Sequence, residues 1–427
     1  MNHSYTVNGE LIENYRLICA AEPDNIENWL ILGRCLVDAQ QYEEAEKALT
    51  KIFEEGRFFS FKNGLPRLRF KTIWHFFKNR VYFARAYADL AAVSLYHGNL
   101  AEAERQLILA LSEFEKAGLD DEYARAANRL GMIYRLAGAY ESAEDMHFRA
   151  KSLAEQHGWP LVLAESLGNL GMVYEGKDRF EAALERHREA LDIYAADPHH
   201  SFEAACLKRQ IGLCLLRSGK HEEALETLSE TLKNFKEEGS LVFQSRLYND
   251  LSMTYQTLNR ADEAIDAARE AVKTADGAAS PVEQADNRVL LACLKMEADI
   301  NDPALEKLLR KAIEIYRSMD RKVELANASA TLGLVYLRRG EWQRAESLFR
   351  DSLHLEEMLQ RCFGMASDYG NLGLIAQKTG RYDKAADYWN KASLLFEKGG
   401  ETSLSDHFRQ LYENVRAAPP AVPPREG

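Results

Sequence analysis

The stretch ESLGNLGMVYEGKDRFEAALERHREALDIY, residues 165–194, holds two helical patterns with a break between them. Leu167, Leu170, Gly171 and Tyr174 share one face of the first. Residues 176–178 interrupt the spacing, and Phe180, Ala183, His187 and Ala190 restart it at 3.6 residues per turn. Gly171 and Ala183 are the informative positions, because a residue without bulk lets two helix backbones approach closely. A small residue in one helix and alanine twelve positions later specify an αα-hairpin.

Working outward, the same pair recurs along the chain. The small residue is Gly33, Ala91, Gly131, Gly171, Gly212, Ser252, Ala292, Gly333 and Gly373. Its alanine is Ala45, Ala103, Ala143, Ala183, Ala224, Ala264, Ala304, Ala345 and Ala385. From Ala91 onward the intervals are 40, 40, 41, 40, 40, 41 and 40 residues. A fixed period of that size means stacked helix pairs, so the expected fold is an all-α solenoid of about nine hairpins.

Residues 1–25 read as an N-terminal capping helix stopped by Pro23, and 26–56 as the first repeat. Repeats two to nine occupy 81–398, a polar-faced capping helix 399–417, and a proline-rich tail, expected to be disordered, 418–427. Pro160, Pro198 and Pro281 fall between repeats, and Pro303 falls in the turn of repeat seven, so none interrupts a predicted helix. Seven residues past the small position stands Gly98, Gly138, Gly219, Asn259, Gly340 or Gly380, residues that tolerate the left-handed conformation closing a helix.

The first interval is 58 residues, and its surplus lies in 57–80, RFFSFKNGLPRLRFKTIWHFFKNR, with seven basic residues, seven aromatics and no acid. Phe70, Lys71, Trp74, Phe77 and Lys78 mark an insertion helix that could pack on repeats one and two. Alternatively it could close over a groove, dock a partner, lie on a membrane surface or, through its seven positive charges, meet nucleic acid.

The chain of 427 residues has net charge −12 and pI near 5.5, which argues against general nucleic-acid binding. Its six cysteines form no CxxC or Cys/His cluster and read as buried free thiols of a cytoplasmic protein. The N-terminus lacks the layout of a signal peptide, and no run of about 20 apolar residues occurs to span a membrane. Gly-rich phosphate loops, HExxH, GxSxG and metal-spaced His/Cys sets are absent, so neither an enzyme nor a cofactor is expected. His199 and His200 read as an exposed loop pair. His147 and His187 share one second-helix position and read as packed core residues.

Leu167, Leu170, Gly171, Tyr174, Ala183 and Ala190 together resemble the tetratricopeptide repeat over roughly residues 26–398. The 40-residue period is similar to the long-helix subclass of LGN-type polarity adaptors, kinesin light chains and Rap- or MalT-type regulators. Gly168-Asn169-Leu170-Gly171 and Gly370-Asn371-Leu372-Gly373 are similar to the GNLG steps of those adaptors. The resemblance implies a right-handed superhelix whose inner wall, made of first helices, binds a peptide or a partner's helix. Rap-type regulators act through an N-terminal helical bundle, for which the residues ahead of repeat one are too few.

A helical wheel puts the positions six and three before the small residue, and one and four after it, on that inner wall. They give Arg85, Arg125, Asn128, Arg135, Arg209, Arg246, Asn249 and Gln256, with Arg217 just beyond and Asn169 on the GNLG step. Arginine grips carboxylates bidentately and asparagine can hold a peptide backbone, so these residues predict a site for an extended segment with acidic residues. The same arginines could instead pair with Glu165, Glu175 and neighbouring acids across the groove. The functions that follow are a protein-binding adaptor or scaffold, a peptide-responsive regulatory sensor, or recruitment through 57–80.

Overall fold

The computed structural model describes the backbone of residues 2–23, 25–56, 70–238 and 240–417, and their side chains except at 2–8, 10, 54–56, 70–79 and 236–238. The described residues form α-helices joined by short turns, with one 3₁₀ turn at Pro198–His200 and no strand. They divide into two compact units, Met1–Gly219 and Lys220–Gly427.

Unit 1 contains α1 (Asn2–Ala21), α2 (Ile26–Asp38), α3 (Tyr42–Gly56), α4 (Phe70–Tyr96), α5 (Leu100–Ala117), α6 (Asp120–Leu136), α7 (Tyr140–His157), α8 (Pro160–Gly176), α9 (Phe180–Ala195) and α10 (Ser201–Arg217). Unit 2 contains α11 (His221–Glu238), α12 (Leu241–Thr257), α13 (Ala261–Ala278), α14 (Pro281–Ala298), α15 (Ala304–Ser318), α16 (Lys322–Arg338), α17 (Trp342–Met358), α18 (Cys362–Lys378), α19 (Tyr382–Lys398) and α20 (Thr402–Ala417). Within each unit consecutive helices pack side by side, and first helices also touch the next first helix, as α6 does α8 and α12 does α14. The fold is an all-α solenoid of hairpins.

The small-residue rule has a visible partner. Sixteen residues after the small position in repeats one, three, four, eight and nine stands the side chain that fills the space above it. A Cβ on Gly33 would come within 2.6 Å of Leu49 Cγ, one on Gly131 within 2.6 Å of His147, and one on Gly373 within 2.5 Å of Trp389 Cδ1. Where the small residue is Ala91 its partner is Leu107, and where it is Ser252 its partner is Ala268. The two positions share one volume, and the alanine at +12 is fully buried at Ala45, Ala103, Ala143, Ala183, Ala224, Ala264, Ala345 and Ala385, whereas in repeat seven Ala304 is half-buried and Leu305 is buried instead.

The proline and turn expectations hold. Pro160 and Pro281 open α8 and α14, where a missing N–H costs nothing, and Pro303 caps α15. Gly98, Gly138, Gly219, Asn259, Gly340 and Gly380 all have φ between 57° and 82°, and Gln40 and Asp178 take the same conformation in repeats one and four. A second left-handed series closes the second helices through Gly118, Gly158, Ala279, Asp320, Gln360 and Gly400. At Ala279 (φ 50°, ψ 35°) the Cβ is a burden. Ala279→Gly should therefore stabilise unit 2 by about 0.5–1 kcal/mol, less than the full left-handed cost because glycine also loosens the unfolded chain. Urea unfolding checks this; a loss of stability would contradict the reading.

Two expectations need correction. Residues 70–80 are not a separate insertion helix: they form the first turns of α4, continuous with the first helix of repeat two. Arg80 pairs there with Glu113 of α5. The side chains of Phe70, Lys71, Trp74, Phe77 and Lys78, and all of residues 57–69 and 418–427, lie outside the described residues. Of the six cysteines, in no disulfide, Cys19 and Cys214 are buried, whereas Cys35, Cys206, Cys293 and Cys362 are only half-buried.

Candidate functional site

The first-helix wall of each unit is polar, but most of its polar groups are already joined to one another. In unit 1, Arg85 Nε on α4 donates to both carboxylate oxygens of Glu122 on α6 at 2.9 Å. Asn128 on α6 is fully buried, donates to Ser166 Oγ on α8 at 3.0 Å, and meets His147 Nδ1 at 3.0 Å. In unit 2, Arg246 on α12 donates to Glu283 on α14 at 2.6 Å, Asn249 donates to Asn287 at 2.7 Å, and Gln256 reaches Glu297 at 3.3 Å. Each link runs 37 to 41 residues forward, from one first helix to the next. The wheel placed facing a ligand several side chains that instead bond the neighbouring repeat.

The remaining predicted residues divide. Arg125 pairs with Asp121 one turn back on α6. Arg217 lies over the Phe180 ring and bonds Glu175 at 3.1 Å. Arg209 is half-buried on α10 and already interacts with a neighbour. Arg135 makes no hydrogen bond or ion pair among the described residues, and its Nε is buried without a partner. It lies close enough to His147 that burial first, and this guanidinium second, press the imidazole down to about 4. His147 is therefore neutral at pH 7.

Glu175 is the centre of the second buried cluster, 3 % exposed. It accepts from His187 Nε2 at 2.7 Å, Gln210 Nε2 at 2.8 Å and Arg217 Nη1 at 3.1 Å. These bonds tie α8, α9 and α10 together and fix the His187 ring, whose Nδ1 is left with no partner. His147 and His187 are thus core residues, each oriented by one polar neighbour.

Beside this cluster, α8 and α10 part. The opening is a cleft of about 340 Å³ lined by Glu165, Gly168, Asn169 and Met172 of α8, Phe202, Glu203, Cys206, Leu207 and Gln210 of α10, and His187 and Tyr194 of α9. Gly168 makes the room: a Cβ there would already touch Leu207 Cδ2 at 3.4 Å. Asn169, predicted from the GNLG step, is 6 % exposed, and its Nδ2 has no hydrogen-bond partner. A buried amide without a partner is costly unless something fills the position. Glu165 is mostly buried, and burial raises its carboxyl above the usual range although Arg129 and Arg125 pull it down. An apolar cleft with a few converging polar groups is the form ligand sites take. Unit 2 has hollows of about 430 and 780 Å³, the larger framed by Glu306, Lys307, Arg310, Lys311 and Glu314 on α15, a charged outer surface.

The wheel put Glu165 and Glu175 on the wall; Glu165 lines the cleft, and Glu175 is buried in the cluster beside it. Phe202, Leu207 and Tyr194 were missed, since on one helix at a time they read as ordinary packing residues. Among the described residues no group of His, Cys, Asp and Glu could hold a metal, and no helix is long and apolar enough to cross a membrane.

Models of the tetratricopeptide repeat match residues 163–196, 203–276, 328–360 and 369–398. No curated protein matches the sequence. Among solved structures, the apo form of RapI aligns at TM-score 0.56 and 17 % identity, over 92 % of this chain and 97 % of that one. A signal transduction ATPase with numerous domains and a tetratricopeptide repeat sensor, from Pyrococcus horikoshii, aligns at TM-score 0.56 and 15 % identity, over 78 % of this chain and 53 % of that one. A Rap protein complexed with Competence and Sporulation Factor aligns at TM-score 0.50 and 15 % identity, over 92 % and 97 %. At such identities the likeness is one of fold. With nine hairpins of the same signature and four family matches inside them, the chain is a tetratricopeptide-repeat protein.

Proposed function

We propose that this protein is a non-enzymatic peptide- or protein-binding adaptor or sensor whose first-helix wall carries its site, anchored in the α8–α10 cleft. The observation that carries this reading is the buried Asn169 amide, which lines an apolar cleft and whose Nδ2 has no hydrogen-bond partner among the described residues. It can donate to a ligand carbonyl and accept from a ligand N–H, the pair a peptide bond offers. Stacked helices hold that amide in place before binding, so the ligand alone bears the ordering cost. The neighbours in fold support a sensing role: one carries its repeats as a sensor, and one is complexed with Competence and Sporulation Factor.

The expectation of acidic residues in the ligand keeps one support, the unpaired Arg135. Arg85, Arg217 and Arg246 are engaged with carboxylates of neighbouring repeats, so they compete poorly for a second one.

Selection from a random-peptide library on the full chain tests the proposal. Enriched peptides should lose about tenfold or more in affinity on Asn169→Ala, the effect of one buried hydrogen bond, and similarly on Gly168→Leu, which fills the cleft. Peptides that bind both variants as well as the unaltered chain would contradict it.

A further inference from the structure

The cleft that anchors the proposed peptide has a definite electrical character. Two carboxylates line it, Glu165 and Glu203, and no lysine or arginine does. Glu165 accepts no hydrogen bond among the described residues. The guanidiniums nearest to it are held elsewhere: Arg125 by Asp121 at 3.1 Å, and Arg129 by the Ala88 carbonyl at 3.1 Å, with Asp89 at 3.7 Å. Among the described residues, the one charged side chain within 4 Å of Glu203 is the half-buried His200, whose Nδ1 lies at 3.6 Å. Both carboxylates bear on the Tyr194 hydroxyl, which burial and the two acids together push up to about 12. Both also line one cleft, Glu165 from α8 and Glu203 from α10, together with the apolar side chains of Met172, Phe202 and Leu207.

We propose that the α8–α10 cleft selects a positively charged group set beside an apolar one, as a peptide presents at a free amino terminus followed by an apolar residue, or at a lysine or arginine next to one. This rests on the reading of the cleft as a peptide site and adds the sign of its ligand. The apolar group fills the volume left by Gly168, against Leu207 and Phe202. The ligand carbonyl takes the Asn169 Nδ2 proton. The cation lies between Glu165 and Glu203, where it supplies the donor that Glu165 lacks. A ligand carboxylate at that position would meet two like charges and no compensating base. The ligand favoured here is thus opposite in charge to the one the wall arginines suggested.

Hexapeptides of random sequence, each synthesised with a free and with an acetylated amino terminus, are titrated against the full chain, Glu165→Gln and Asn169→Ala. Glutamine keeps the shape of a side chain whose carboxyl makes no hydrogen bond, so the fold should be kept, which circular dichroism verifies. The tightest peptides should be cationic and lose about tenfold to a hundredfold on Glu165→Gln, the range of a charge-assisted hydrogen bond. Loss on acetylation assigns the cation to the amino terminus, and loss on lysine-to-norleucine exchange assigns it to a side chain; either supports the proposal. Neutral or acidic peptides that depend on Asn169 but not on Glu165 would overturn the charge preference and leave the site standing. Absence of any binding that Asn169→Ala weakens would overturn both.

Discussion

Gly373→Ala should cost the C-terminal repeats about 2 kcal/mol, although alanine is the better helix former by about 1 kcal/mol. The added methyl would meet the Trp389 indole, 1 % exposed and held by its Nε1 donating to the Gly370 carbonyl at 3.2 Å. A ring fixed in that way cannot step aside. Trp389→Leu alone should cost about 3 kcal/mol through the cavity it leaves. The double substitution recreates the pairing the chain itself uses at Ala91 and Leu107, so it should cost at least about 1 kcal/mol less than the two single losses added. Hydrogen exchange of the α18 and α19 amides reads this locally, which suits a solenoid better than a global midpoint. Strict additivity would mean that the two positions do not share a volume.

The second large effect depends on pH. Asp368 on α18 is 2 % exposed, and burial first, with the nearby Glu356 adding to it, raises its carboxyl from 3.8 to about 7 despite a hydrogen bond from Ser352. Asp368 Oδ2 and Glu356 Oε2 are both buried without a partner. The unfolded chain releases this proton near pH 4 and the folded one near 7. Between those values the folded state holds the extra proton, so this group lowers stability as pH rises. The accumulated loss above pH 7 is roughly 4 kcal/mol, from about 1.4 kcal/mol per pKa unit. Asp368→Asn, which stays neutral and offers an N–H toward Glu356, should stabilise unit 2 by about 2–4 kcal/mol at pH 8 and by little at pH 4. Thermal unfolding of both proteins across that range is the check. A gain independent of pH would show that Asp368 is ionised in the fold throughout.

The fold was legible because its determinants are short-range and repeat. A small residue at Gly171 and an alanine at Ala183 express one helix crossing, and nine copies leave no competing arrangement. The left-handed glycines were equally plain, since at Gly98 or Gly340 the backbone alone demands them. The partner at +16 was legible in principle, but the volume shared by Gly373 and Trp389 shows only once the crossing is built.

The site was legible in part. A wheel tells which way a side chain leaves its own helix and not what stands opposite. Arg85 and Arg246 leave toward the next first helix and meet Glu122 and Glu283, each 37 residues on. That offset was in the sequence, and reading one repeat forward for an acid would have marked both arginines as engaged. Asn128 and Asn169 are the same residue type on successive first helices, yet Ser166 accepts from the Nδ2 of the first and no described residue accepts from the Nδ2 of the second. The difference comes from Gly168 and the local parting of α8 from α10, a property of two helices together.

A crystal structure of the full chain with a library-selected peptide tests the central claim most directly. It should show the peptide on the first-helix wall of unit 1, an apolar side chain between α8 and α10, and a carbonyl oxygen about 3 Å from Asn169 Nδ2. A peptide seated instead on second helices, with the α8–α10 cleft empty, would contradict the account.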